Sequence, residues 1–176
     1  MAAILAGVIE VREARPEDYE DAGRVTAEAY REFVSHTHEQ EWLDYLDEIA
    51  DVGKRARRAT VLVAVEDGQV LGSATLELER PLERAMEHER TLDPADARIR
   101  MLGVSPAERG RGVGQRLLDA CIDRALAAGK RRVILSTLWR MQIAQRMYER
   151  AGFVRGPNAD DATEGKVFTY SLALEG

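Results

Sequence analysis

From Ile99 to Leu138 the sequence changes period twice, and this stretch limits the fold more than any other feature. Ile99 to Val104 alternates as a strand, and Ser105 to Gly114 reads as a turn. Val113, Leu117, Leu118, Cys121, Ile122, Ala125 and Leu126 then recur at helical spacing and make one apolar face. Gly129 stands where a glycine closes a helix, and Val133 to Leu138 is a second apolar strand. A helix between two strands implies a crossover and parallel pairing. Earlier in the chain, Val61 to Val65 and Val70 to Leu78 are two strands separated by Glu66, Asp67, Gly68 and Gln69. The Asp-Gly pair signals a hairpin, which is antiparallel by construction. The expected sheet is therefore mixed, and Val61 to Val65 reads as buried on both faces.

Other elements fill in around this frame. Val8 to Ala14 alternates like a short strand, and Pro16, Glu17 and Asp18 give a helix-start proline and first-turn acids for a helix reaching about Phe33. Trp42, Tyr45, Leu46 and Ile49 form the apolar face of a second helix that ends before Gly53. Arg80 to Ala95 is a polar excursion with Pro81 and Pro94 at its ends. Met141 to Arg150 is a short helix closed by Gly152, and Val167 to Leu174 is a final strand. With 176 residues and 45% hydrophobic content, the chain 1–176 suits one compact domain.

Charge and cysteine usage exclude several function classes. A net charge of −6 gives no overall basic field for nucleic acid or an anionic membrane. No 18-residue apolar run appears, and Met1 to Val8 is short and lacks the basic flank of a secretory signal, so a cytoplasmic location is expected. The single cysteine, Cys121, lies in the apolar stripe and reads as core. His36 and His38, two apart, with His88 far off, make no metal site, and none is expected.

The chemistry gathers between the strand and the amphipathic helix, in Arg109, Gly110, Arg111, Gly112, Val113 and Gly114. Three glycines let backbone approach a ligand closely, and amides at a helix N-terminus favour an anion such as pyrophosphate. Between Ala97 and Arg116 five arginines face one acid, Glu108, a basic island in an acidic chain. Two other phosphate loops fail on inspection. No Gly-Lys-Ser/Thr triplet occurs, and Gln115 stands where a dinucleotide fingerprint after Gly110 and Gly112 needs its third glycine.

Arg109, Gly112 and Gly114 instead resemble the Arg/Gln-x-x-Gly-x-Gly/Ala loop of the GNAT superfamily of N-acetyltransferases. Met101 to Pro106 before the loop and Tyr148, Glu149, Arg150, Ala151, Gly152 and Phe153 after it are similar to the family's flanking segments. The close resemblance covers about Ala97 to Arg155. It implies an α/β (α+β) fold with a mixed, mostly antiparallel central sheet, a splayed parallel pair, and helices on both faces. It also implies acetyl-coenzyme A as cofactor, its phosphates on Arg109 to Gly114 and its pantetheine arm along Leu102, Gly103 and Val104. The Val104 amide would face the thioester carbonyl, and Tyr148 the sulfur. A phenol with pKa ~10 holds its proton against a thiol near ~8.5, so its role is hydrogen-bond support for the thiolate. The acceptor would be a primary amine of a small molecule or peptide, with a homodimer compatible with the sequence.

Two positions depart from the family pattern. Met141 replaces an asparagine that contacts the cofactor in many relatives, and Arg98 replaces a glutamate that activates the amine. The general base is therefore unassigned; Glu77 or its neighbour Glu79 on an adjacent strand could serve, the alternative being a merely solvated strand-edge glutamate. By resemblance, the first two helices and the Arg80 to Ala95 excursion overhang the acceptor end, where His36 and His38 could line a pocket. The alternative reading is a non-catalytic acyl-CoA-binding module.

Overall fold

A computed structural model describes residues 7–34, 39–79, 92–156 and 167–175. Seven strands form one sheet in the order β1-β2-β3-β4-β5-β7-β6: β1 (Glu10–Glu13), β2 (Thr60–Glu66), β3 (Gln69–Glu77), β4 (Asp96–Val104), β5 (Arg132–Leu138), β6 (Val154–Arg155) and β7 (Val167–Ala173). Among the described residues, only the β4–β5 neighbours are parallel and every other adjacent pair is antiparallel. On one face lie α1 (Tyr19–Arg31), α2 (Glu39–Ala50) and α3 (Val52–Ala56), and on the other α4 (Val113–Ala127) with α5 (Gln142–Arg150) beside it. The fold is the one the resemblance implies.

Period-2 alternation explains the layering. On β2, Leu62 and Ala64 enter the core under α4, while Val61, Val63 and Val65 join Ala22, Val25 and Val52 under α1 and α3. The strand is therefore buried on both faces, as its unbroken apolar run predicts. Asp67 and Gly68 close the hairpin with φ of 48° and 79°, the positive pair a two-residue turn demands.

The helix ends follow local chemistry equally well. At Gly129, φ 72°, the Lys130 amide bonds the Ala125 carbonyl and the Gly129 amide bonds Leu126. At Gly152, φ 91°, Phe153 and Gly152 make the same two bonds to Tyr148 and Glu149. Both are Schellman closures, which need a left-handed residue that glycine supplies without strain.

Several expectations need correction. The first helix opens as a single 3-10 turn at Pro16–Asp18 before α1. The second helix ends before Gly53, at Ala50, as expected, but Gly53 itself sits inside α3, a short helix that the sequence pattern missed. In α3, Arg55 donates to the Glu48 and Ile49 carbonyls and to Thr75 Oγ1, so it closes the C-terminus of α2 against β3. Leu126 is 42% exposed because it has rotated past the buried stripe of α4. The final strand stands where expected, at Val167–Ala173, but a two-residue strand that the pattern does not show comes before it. The parallel mate of β5 across that crossover is the two-residue β6, and β7 returns antiparallel to fill the gap between them.

Gly23 shows how tightly the α1–α2 layer is set. A Cβ there would sit 2.2 Å from the Ala50 carbonyl oxygen, at the end of α2. Backbone cannot yield as a flexible side chain can, so Gly23→Ala is expected to cost at least about 1–3 kcal/mol despite its better helix propensity. Thermal unfolding checks this, and a melting temperature equal to or above wild type would show that the helices re-seat freely.

Candidate functional site

The sheet opens at one place. Between the pairs Ser73–Gly103 and Thr75–Arg100, β3 advances two residues while β4 advances three, which is a bulge in β4. Met101 takes the strain with φ 51° and turns its side chain onto Ala27, Leu46 and Ile49. The extra residue returns Leu102 and Val104 to the α4 face, where they pack on the main core.

The parallel ladder with β5 stops at Ile99–Leu135, yet β5 continues to pair with β7 as far as Leu138–Val167. Residues 100–104 and 136–138 therefore flank a gap. Along it, no strand among the described residues pairs with that edge of β4. A backbone edge left in this state can bond an extended ligand as a further strand would.

Gly103 faces the opposite layer. A Cβ on it would lie 3.1 Å from Thr26 Cγ2 and 3.2 Å from Ala29 Cβ, so its small size lets α1 sit on the bulge. Thr26 Oγ1 and Ser73 Oγ, 2.6 Å apart and buried, tie α1 to β3 just behind it.

Beyond β4 the chain makes a 3-10 turn, Pro106–Glu108, and enters the glycine loop. Gly110 and Gly112 both have φ 78°, and the space around their missing Cβ positions is open. Gly112 is the N-cap of α4 and carries no side-chain cap, so the first-turn amides of a 15-residue helix face outward. Val113 is buried, and a Cβ on Gly114 would lie 3.3 Å from Met147 Sδ and 3.5 Å from Val104 Cγ2, so both side chains close on the glycine. This contact joins the start of α4 to the mouth of the gap. Amides, open space and helix dipole together suit an anionic group.

The loop arginines are held by carboxylates. Arg111 grips Glu66 with two bonds of 2.7 and 2.8 Å and also meets Glu108, whereas Arg109 bonds Glu32 at the end of α1. Arg140, at the other side of the gap, bonds the Phe33 carbonyl at 2.8 Å. No spacing in the sequence announces Glu32 or Glu66, since each lies tens of residues from its arginine.

Tyr148 comes from α5 and is 6% exposed. Its ring sits 6.0 Å from Phe153 and 5.9 Å from Tyr170. The hydroxyl has no hydrogen-bond partner among the described residues. Burial, with smaller contributions from Cys121 and Tyr170, raises its pKa well above the ordinary tyrosine value, so it stays protonated at any working pH. Cys121 itself is fully buried and its thiol is pushed up to about 12, as suits a core residue.

Glu77 is buried at 8% and accepts from Arg98 at 3.5 Å and Arg100 at 3.4 Å. The three share one face of β3 and β4 with Thr75, close to the bulge. Met141 is the N-cap of α5 and takes a bond from Thr137 Oγ1 on its sulfur. Glu79 is exposed beyond the end of β3. The three histidines and residues 80–91 of the excursion lie outside the described residues.

An opened parallel pair, an uncapped helix N-terminus at its mouth and a buried phenol make this the candidate ligand site. The family model for the acetyltransferase (GNAT) family matches residues 17–153. The chain belongs to that family, an acetyltransferase family whose donor is acetyl-coenzyme A.

Solved structures repeat the fold. YncA from Salmonella typhimurium, a provisionally assigned acetyltransferase solved with its cofactor acetyl-CoA, is 20% identical with a TM-score of 0.67, covering 95% of this chain and 94% of its own. PaiA N-acetyltransferase from Thermoplasma acidophilum, in complex with coenzyme A, is 18% identical with a TM-score of 0.72 and coverages of 95% and 99%. A GNAT-family acetyltransferase from Staphylococcus aureus Mu50 is 15% identical, also with a TM-score of 0.72, over 96% and 100%. A comparison with curated protein sequences gives no match. Among the described residues, no helix is long and apolar enough to cross a membrane.

Proposed function

We propose that this chain acts as one domain that transfers an acetyl group from acetyl-coenzyme A to a primary amine of a small molecule or peptide by direct attack. The observation that carries this reading is the gap between β4 and β5, with the Gly110–Gly114 amides at its mouth and the Tyr148 hydroxyl, which has no hydrogen-bond partner among the described residues. Acetyl-coenzyme A supplies the acetyl group as a thioester.

Each residue then has a defined task. The amides from Gly110 to Gly114 take the phosphates, with Arg109 and Arg111 shaping the loop. The backbone of Leu102, Gly103 and Val104 aligns the pantetheine arm. The Val104 amide donates to the carbonyl oxygen, where negative charge grows as nitrogen attacks carbon. As the new C–N bond forms and the C–S bond breaks, Tyr148 stabilises the departing sulfur with its proton. The proton lost by the amine goes to Glu77 or to water.

Glu77 is a constrained base, because two arginines already draw on its lone pairs. An amine that is readily deprotonated, such as an α-amine near pKa ~8, therefore suits the site better than a lysine side chain at ~10.4. The same ion-paired Glu77 supports a second reading, an acyl-CoA-binding module without turnover. Thiol release measured over a panel of polyamines, amino acids, aminoglycosides and peptide N-termini separates the two. Release with any amine supports transfer; heat protection by acetyl-CoA with no release from any amine supports binding alone.

A further inference from the structure

Two carboxylates beside a loop built for an anion are an electrostatic liability, yet Glu66 and Glu108 both reach Arg111 in the middle of it. Arg111 stands between Gly110 and Gly112, both at φ 78°. Glycine loses more conformational freedom on ordering than any other residue, so such a loop is intrinsically mobile unless something holds it. The Glu66 side chain is only 13% exposed and belongs to the rigid end of β2, where Glu66 pairs with Gln69 across the hairpin. A Cβ on Gly7 would lie 2.8 Å from its Cγ, so the chain ahead of β1 passes close to this side chain. One guanidinium nitrogen, Nη2, meets both Glu66 oxygens while the other, Nη1, meets Glu108, a fork across two carboxylates that a single lysine ammonium could not span.

We propose that Glu66 is a positioning residue: it holds the Arg111 guanidinium away from the ligand and fixes the Gly110–Gly114 amides in the array that receives a diphosphate. This rests on the loop being the diphosphate site. In this arrangement Arg111 contributes order, and the amides contribute the binding. The ordering cost is met when the protein folds instead of when the ligand arrives.

The sign of one substitution decides the matter. On charge alone, Glu66→Gln removes a negative group near bound phosphates and frees Arg111 to join them, so affinity for coenzyme A should rise. The brace requires the reverse, a fall of about 5- to 20-fold in calorimetry, with turnover at saturating donor unchanged. Arg111→Lys keeps the charge and loses the fork, so it should weaken binding to the same degree, and the double variant should be no worse than either single one.

Nitrogen-15 relaxation on the cofactor-free protein gives a second readout that does not depend on binding. The Gly110 and Gly112 amides should be rigid in wild type and mobile in Glu66→Gln, while α4 stays ordered. Tighter or unchanged affinity in Glu66→Gln, or unchanged glycine dynamics, overturns the proposal. If wild type gave no binding heat with coenzyme A, the diphosphate reading would fall, and the relaxation result would still decide whether the brace exists.

Discussion

Gly112→Asp is expected to weaken acetyl-CoA binding at least about 100-fold while leaving the protein folded. The substitution puts a carboxylate at the N-cap of α4, beside first-turn amides that have no side-chain cap. Aspartate is an N-cap acceptor by preference, so its oxygens compete for the donors a phosphate would use. Its charge then repels what remains; two like charges near 4 Å at a protein surface cost about 4 kcal/mol before salt screening. The positive φ of 78° adds strain, which aspartate tolerates better than most residues, and no neighbouring atom obstructs the new Cβ. Calorimetry together with a thermal melt is the measurement. Wild-type affinity in a folded variant would show that the phosphates lie elsewhere.

Tyr148→Phe is expected to lower turnover about 10- to 100-fold with little change in cofactor affinity. The ring contacts with Phe153 and Tyr170 survive the change, and no protein hydrogen bond of the hydroxyl is lost among the described residues. What disappears is a proton aimed at charge that develops on sulfur only as the thioester breaks, so the loss falls on the chemical step. General acid assistance is typically worth 10²–10⁴-fold, and a thiolate already leaves well, which places the effect at or below the lower end. Because burial raises the Tyr148 pKa well above the ordinary value, wild-type rate should show no tyrosine limb below about pH 10. Single-turnover acetyl transfer is the decisive measurement. A Phe variant that matched wild type there would make Tyr148 a packing residue.

Much of this protein was legible in its residues, wherever the cause is local. The Asp67–Gly68 turn, the left-handed closures at Gly129 and Gly152, and the buried stripe from Val113 to Ala125 each depend on residues within a few positions of one another. The glycine loop was legible for the same reason, since its three glycines and two arginines fall within six positions. Local patterns erred where they were too short to signal. The two-residue β6 carries no period, and the helical stripe of α2 gave no warning that α3 would follow at once.

Tertiary structure alone decided the rest, because those features need partners far apart in the chain. The splayed pair is implied by the family resemblance, but no local pattern in Arg100, Met101 and Leu102 shows where the bulge falls; Met101 takes φ 51° with its side chain buried beside Ala27, Leu46 and Ile49. Gly103 reads as part of a motif, yet its size answers to Thr26 and Ala29 of α1. Glu77 reads as a strand-edge glutamate, either solvated or a candidate base, whereas strand register sets Arg98 and Arg100 upon it. The carboxylate that grips Arg111 lies 45 residues away on the end of β2. The sequence alone determined turns, helix ends and the anion-ready loop, since short-range sterics and hydrogen bonding suffice for them. Chain folding decided which side chains are engaged and where the sheet opens, because long-range contacts carry no local pattern and only packing brings them together.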